Sequence, residues 1–90
     1  MFLRQARVEA QRLPDGSLLL FDTASETAVP LNESGAFIWE MCDGSHSVDQ
    51  IVDNLAGRYD AERSQVDRDT RAFLDVLIGQ GLVERQSPSS

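Results

Sequence analysis

Leu31-Asn32-Glu33-Ser34-Gly35-Ala36-Phe37-Ile38-Trp39-Glu40-Met41-Cys42-Asp43-Gly44-Ser45-His46-Ser47-Val48-Asp49-Gln50-Ile51 is the stretch whose reading decides the fold. Asn32 is a natural N-cap, with a side-chain oxygen to satisfy an orphan backbone N–H of the helix it starts. In the helix that follows, Ala36, Phe37, Ile38, Trp39, Met41 and Cys42 cover most of the wheel, and Glu33 and Glu40 share the one polar stripe. A helix apolar on most sides is enclosed by the rest of its domain. Asp43-Gly44 stops it, with Gly44 suited to a left-handed cap. Ser47 then opens a second helix, and Gln50 three residues later completes a capping box. Val48, Ile51, Val52, Leu55 and Tyr59 form its apolar stripe.

Outward from this core, the pattern changes on the N-terminal side. Residues 8–13 read as a weak strand and residues 17–21 (Ser-Leu-Leu-Leu-Phe) as a buried one, joined by Pro14-Asp15-Gly16. Proline presets φ and glycine accepts positive φ, so the pair predicts an antiparallel hairpin. A polar turn leads to a third strand, Thr27-Ala28-Val29-Pro30-Leu31. Proline cannot donate to a ladder, which puts this strand at a sheet edge. On the C-terminal side, Ser64 and Asp67 make a looser capping pair for a third helix. Its inner face is Val66, Thr70, Phe73, Leu74, Leu77 and Ile78, and Asp67–Arg71 and Arg71–Asp75 are i,i+4 pairs. Gly79 and Gly81 loosen its end, and Leu82-Val83 reads as a short docked extension. The fold class is α+β, winged helix-turn-helix-like: a three-stranded antiparallel sheet followed by three helices. Residues 1–85 form the domain and residues 86–90 a disordered tail.

Composition narrows the function. The 90 residues carry eight arginines, no lysine, fifteen acids and a net charge of −7. Nucleic-acid and anionic-membrane binders neutralise phosphate with cations, and this chain has too few for either. One cysteine leaves no disulfide and no cysteine-based metal site. No apolar stretch approaches the roughly 20 residues of a bilayer span, and early charges rule out a signal-peptide core. The expectation is a cytoplasmic protein without cofactor, metal or catalytic residues. Cys42 falls on the apolar wheel, His46 in a polar turn, and no third group orients them as a dyad. The carboxylates are spread over solvent faces instead of paired in a cleft.

The feature with functional leverage is the edge strand. Unpaired backbone groups along Thr27, Ala28, Val29, Pro30 and Leu31 are a template for an added peptide strand. Alternation puts Ala28 and Pro30 on one face and Thr27, Val29 and Leu31 on the other. The competing reading has residues 82–84 covering this edge, or Pro30 merely blocking aggregation.

The run Leu31-Asn32-Glu33-Ser34-Gly35-Ala36, Ile38-Trp39 and Cys42-Asp43-Gly44, then Ser47-Val48, Ile51-Val52 and Leu55, resembles the PqqD-like family. Val66, Asp69, Phe73-Leu74, Leu77 and Gly81-Leu82-Val83 extend the likeness to most of the chain. The resemblance implies a peptide recognition element that binds the leader of a ribosomally made precursor peptide. It further implies delivery of that peptide to a modifying enzyme, often of the radical S-adenosylmethionine class, as in pyrroloquinoline quinone synthesis. Carried onto this sequence, the leader adds as a strand at Thr27–Leu31 and lies beside the third helix. Either flank of that helix serves as the groove wall: Asp69, Ala72 and Val76, or Arg71 and Asp75. Phe21-Asp22-Thr23-Ala24 and Gly81-Leu82 depart from the founding member's Tyr-Pro-Glu-Gly-like and Gly-Trp segments, which favours a related peptide pathway. Two alternatives stand beside this reading, a winged-helix DNA-binding regulator and a self-associating structural subunit. The chain is expected as a monomer or homodimer.

Overall fold

A computed structural model describes residues 2–85, and the tail expected at 86–90 lies outside them. In chain order the elements are β1 (Phe2–Arg4), β2 (Val8–Arg12), β3 (Leu18–Asp22), β4 (Thr27–Leu31), α1 (Glu33–Glu40), α2 (Val48–Tyr59), α3 (Arg63–Gly79) and β5 (Val83–Arg85). Strands β2, β3 and β4 form the expected three-stranded antiparallel sheet, in that spatial order.

Turn chemistry sets the two hairpins. At Pro14-Asp15-Gly16, Gly16 takes φ +91° and the Leu13 N–H donates to Ser17 O at 2.9 Å. Between β3 and β4, Glu26 takes φ +56° and donates its N–H to Asp22 O at 2.8 Å. Asp22 is 5% exposed, yet its carboxylate is satisfied by the Ala24 N–H at 3.0 Å and Arg7 Nε at 3.1 Å.

The helices cover one face of the sheet. Leu18 and Leu20 of β3 and Leu31 of β4 meet Ile38 and Trp39 of α1, Ile51 and Val52 of α2, and Leu74 and Leu77 of α3, all buried. The Asn32 cap accepts from Gly35 N at 2.8 Å, and both bonds of the Ser47–Gln50 capping box form. Trp39, at 3% exposed, fills the core.

Four details differ from the sequence reading. First, β1 and β5 pair with each other as a separate antiparallel ribbon, with Arg4 opposite Val83. The segment read as a possible cover for the third strand's edge therefore lies on the N-terminus. Second, α1 ends at Glu40 with Met41 as its C-cap, and Gly44 (φ +85°) sits in the following turn, donating to Phe2 O at 2.8 Å. Third, α3 starts at Arg63 without a side-chain cap, and the Ser64 hydroxyl donates to Glu62. Fourth, Arg71 pairs with Asp67 and reaches Asp49 at 3.5 Å, and Asp75 instead faces Arg85 at 3.7 Å. An ion pair with a neighbouring element displaced the local one, since exposed pairs differ by only tenths of a kcal/mol.

Candidate functional site

The hydrogen-bond phase of the sheet follows from its register. Residues opposite one another in antiparallel strands alternate between exchanging both backbone bonds and exchanging none. Pro30 lies opposite Leu19, and a proline can hold a place in the ladder only in a pair that exchanges none. Hence Val29 bonds Leu20 and Leu31 bonds Leu18, and the backbone groups of Ala28 and Pro30 point away from the sheet. The Leu13–Ser17 bond at the other hairpin gives the same phase independently. Along the open edge, Ala28 offers an N–H and a C=O, and Pro30 offers a C=O alone.

Beside that edge lies a groove of about 600 Å³. Pro30 and Leu31 of β4, Gly35 and Ile38 of α1, Leu55 and Tyr59 of α2, and Val66, Asp69, Thr70 and Phe73 of α3 line it. A second hollow of about 460 Å³ continues along Thr27, Ala28, Val29 and Pro30 to Gln80 and Leu82. Val76 of α3 and its C-cap Gln80 stand two and three turns beyond Asp69, so these residues share the face toward β4. Ala72 falls on the same flank and is exposed, as is Val76 at 51%. Arg71 and Asp75 lie on the other side of the helix, around a small hollow shared with Phe2, Val48 and Arg85.

Close approach of α1 to α3 makes the groove narrow at Gly35. A Cβ there would stand 3.0 Å from Phe73 Cζ and 3.1 Å from the capping oxygen of Asn32. The rim is polar and acidic. The Tyr59 hydroxyl donates to Glu33 at 3.0 Å, and Asp69 accepts from the Gln65 amide at 3.1 Å. No arginine lines this groove among the described residues. Tyr59 and Phe73 escaped the sequence reading because each had a structural role at hand, as stripe end and core face, and Gly35 entered it only within the run that carries the family resemblance. The signal that could have marked Tyr59 is its place at the exposed end of an otherwise buried stripe.

Chemistry elsewhere is sparse. Burial pushes the Cys42 thiol up to about 12, with Arg4 pulling the other way and Asp43 adding to the rise, and its Sγ donates to Ile38 O at 3.2 Å. His46 contacts Asp43 at 3.0 Å in an exposed turn. The Ser45 hydroxyl and N–H, then His46, hold Asp43 well below the usual carboxylate range. Among the described residues no group of three or more His, Cys, Asp or Glu is placed to hold a metal ion. No helix there is long and apolar enough to cross a membrane.

Known proteins resemble this arrangement. The family model described as coenzyme PQQ synthesis protein D (PqqD) matches residues 17–83. A PqqA binding protein of Methylococcus capsulatus is 40% identical over 58 residues, covering 64% of this chain and 60% of that protein. The match therefore spans less than two thirds of that relative. A PqqA binding protein of Rhodopseudomonas palustris (strain BisB5) is 32% identical over 91% of this chain and 90% of its own length. Among solved structures, TbiB1 in complex with the TbiA(beta) leader peptide superposes with a TM-score of 0.83 at 26% identity. That likeness covers 94% of this chain and 98% of TbiB1. A lasso peptide synthetase B1 complexed with the leader peptide shares the fold, with a TM-score of 0.82 at 24% identity over 93% of this chain and 98% of that one.

Proposed function

The chain belongs to the PqqD family, and from that premise we propose that it is a non-catalytic carrier of a precursor peptide. The leader of a ribosomally made precursor adds as a strand to β4, and the carrier presents the peptide to a modifying enzyme. The observation that carries this reading is the open β4 edge beside an apolar groove of about 600 Å³. The curated relatives named for PqqA binding, and the fold shared with two leader-peptide complexes, support it.

The contacts follow from the geometry. Ala28 exchanges an N–H and a C=O with the leader, Pro30 accepts one further bond, and Thr27, Val29 and Leu31 anchor the strand to β3. Asp69, Ala72 and Val76 form the far wall, joined by Phe73 and Tyr59. Arg71 and Asp75 take no part, because they face away from β4. A proline in β4 shortens the ladder, so side chains in the groove supply much of the affinity and most of the selectivity. The family resemblance supports a radical S-adenosylmethionine enzyme as the recipient and the cytoplasm, where the precursor is translated, as the location. A net charge of −7 weighs against DNA as the partner.

Fluorescence anisotropy with labelled leader peptides from short reading frames beside the gene tests the proposal. Ala28→Pro removes one outward N–H without touching the β3 ladder. A neutral hydrogen bond worth about 0.5–1.5 kcal/mol net implies binding weakened about twofold to tenfold. Arg71→Ala leaves it unchanged. Equal loss in both variants, or no binding by any candidate leader, contradicts the reading.

A further inference from the structure

The same sheet has a second open edge, and it is the better hydrogen-bonding one. Val8, Ala10 and Arg12 of β2 lie opposite Asp22, Leu20 and Leu18, the residues whose backbone groups face β4. Their own groups therefore point outward. The Val8 N–H is taken by Gln5 O at 3.1 Å, leaving the Val8 C=O and both groups of Ala10 and of Arg12. No proline interrupts the row.

Beside this edge lies another groove, of about 450 Å³, walled by Val8, Ala10, Leu18 and Trp39 and rimmed by Arg4, Arg12 and Glu40. Its charge is opposite to that of the β4 groove. Arg12 is paired with Glu40, whereas Arg4 touches only the Glu40 carbonyl, at 3.0 Å, and joins no ion pair among the described residues. The rim is thus net cationic in a chain of net charge −7.

We infer that the β2 edge and the Arg4 groove dock an extended acidic segment of a second protein, the modifying enzyme, while β4 holds the leader. The partner's identity rests on the proposed carrier role. The edge, the groove and the charge complementarity stand on their own. Placing the two occupants on opposite edges lets both bind at once, and the opposite signs of the two grooves keep each from competing for the other's place.

Random decapeptides displayed on phage, selected against the full chain, test this. Each survivor is measured again on Ala28→Pro, Ala10→Pro and Arg4→Glu, after thermal melts identify the variants that fold as wild type. One class of survivors, rich in Asp and Glu, is expected to lose severalfold, up to about tenfold, in Ala10→Pro, where one neutral hydrogen bond goes, and about tenfold or more in Arg4→Glu. A hydrogen-bonded charge pair is worth about that much. The same class should be unaffected by Ala28→Pro, weaken with salt, and bind together with Ala28-dependent peptides. Recovery of Ala28-dependent peptides alone, or of a β2-dependent class without acidic bias, overturns the inference and leaves the leader reading intact. A β2-dependent acidic class with no Ala28-dependent one supports the surface and removes the leader reading. A wild-type mass that doubles with concentration, and stays single in Ala10→Pro, assigns the edge to a second copy and overturns the inference.

Discussion

Gly35→Ala and Gly57→Ala are the same substitution in two helices, and the structure gives them opposite signs. At Gly57, in α2, an added Cβ meets nothing within 4 Å. Helix propensity then acts alone, and alanine gains about 0.8–1.0 kcal/mol over glycine. At Gly35 that gain is outweighed. The new methyl would press on Phe73 Cζ at 3.0 Å and on Asn32 Oδ1 at 3.1 Å, the atom that caps α1. Losing the cap costs about 1 kcal/mol, and overpacking a filled site costs about 1–3 kcal/mol. The net effect is a loss of about 1–3 kcal/mol. For a domain of this size 1 kcal/mol moves Tm by roughly 4–8 °C. Urea unfolding with a common m value, backed by thermal melts, should show Gly57→Ala above wild type and Gly35→Ala below it. A stabilised Gly35→Ala would refute the close approach of α1 and α3 that shapes the groove.

Trp39→Ala, at a site 3% exposed, should cost about 3–5 kcal/mol. That approaches the whole stability of a small domain, and urea titration would show a chain partly unfolded in buffer. Asp22 tests the acid limb of the stability curve. Burial raises its pKa, but the N–H groups of Ala24 and Ser25 and the Arg7 guanidinium outweigh that and hold it low. A lowered folded value means stability present above the unfolded pKa of about 3.9 and lost as pH falls through the folded one. The gap in urea midpoint between wild type and Asp22→Asn should therefore be widest near neutral pH and close in acid; a gap that widens in acid contradicts the pairing. Cys42, pushed up to about 12 by burial, should resist a thiol-reactive disulfide reagent at mildly alkaline pH until denaturant is added. Fast labelling of the native chain would show that the α1 core opens.

What could be read from the sequence was local. The Asn32 cap and the Ser47–Gln50 box join groups three residues apart, so the side chain and the backbone it satisfies are visible together. Thr27–Leu31 could be bounded because Pro30 limits where a strand can lie, and the apolar circuit of α1 announced its enclosure. What could not be read was long-range. The pairing of β1 with β5 joins three-residue strands from the two ends of the domain, too short for any periodicity. Which flank of α3 faces β4 depends on how the helix lies on the sheet, which no spacing within the helix encodes. Arg71 illustrates the same limit, since its partner Asp49 belongs to another helix. The open edge of β2 stayed hidden because Ala10 and Gln11 do not favour a strand, so the segment reads weakly, and the structure buries only one of its five side chains.

Strand addition at β4 is tested most directly by residue-resolved hydrogen exchange of the chain with and without a saturating leader peptide. In the free protein the Val29 and Leu31 amides, bonded to β3, should exchange slowly, and the outward Ala28 amide quickly. Leader binding should slow Ala28 in proportion to occupancy and leave Ala10 on the opposite edge unchanged. An Ala28 amide that exchanges as fast in the complex as in the free chain would contradict the account.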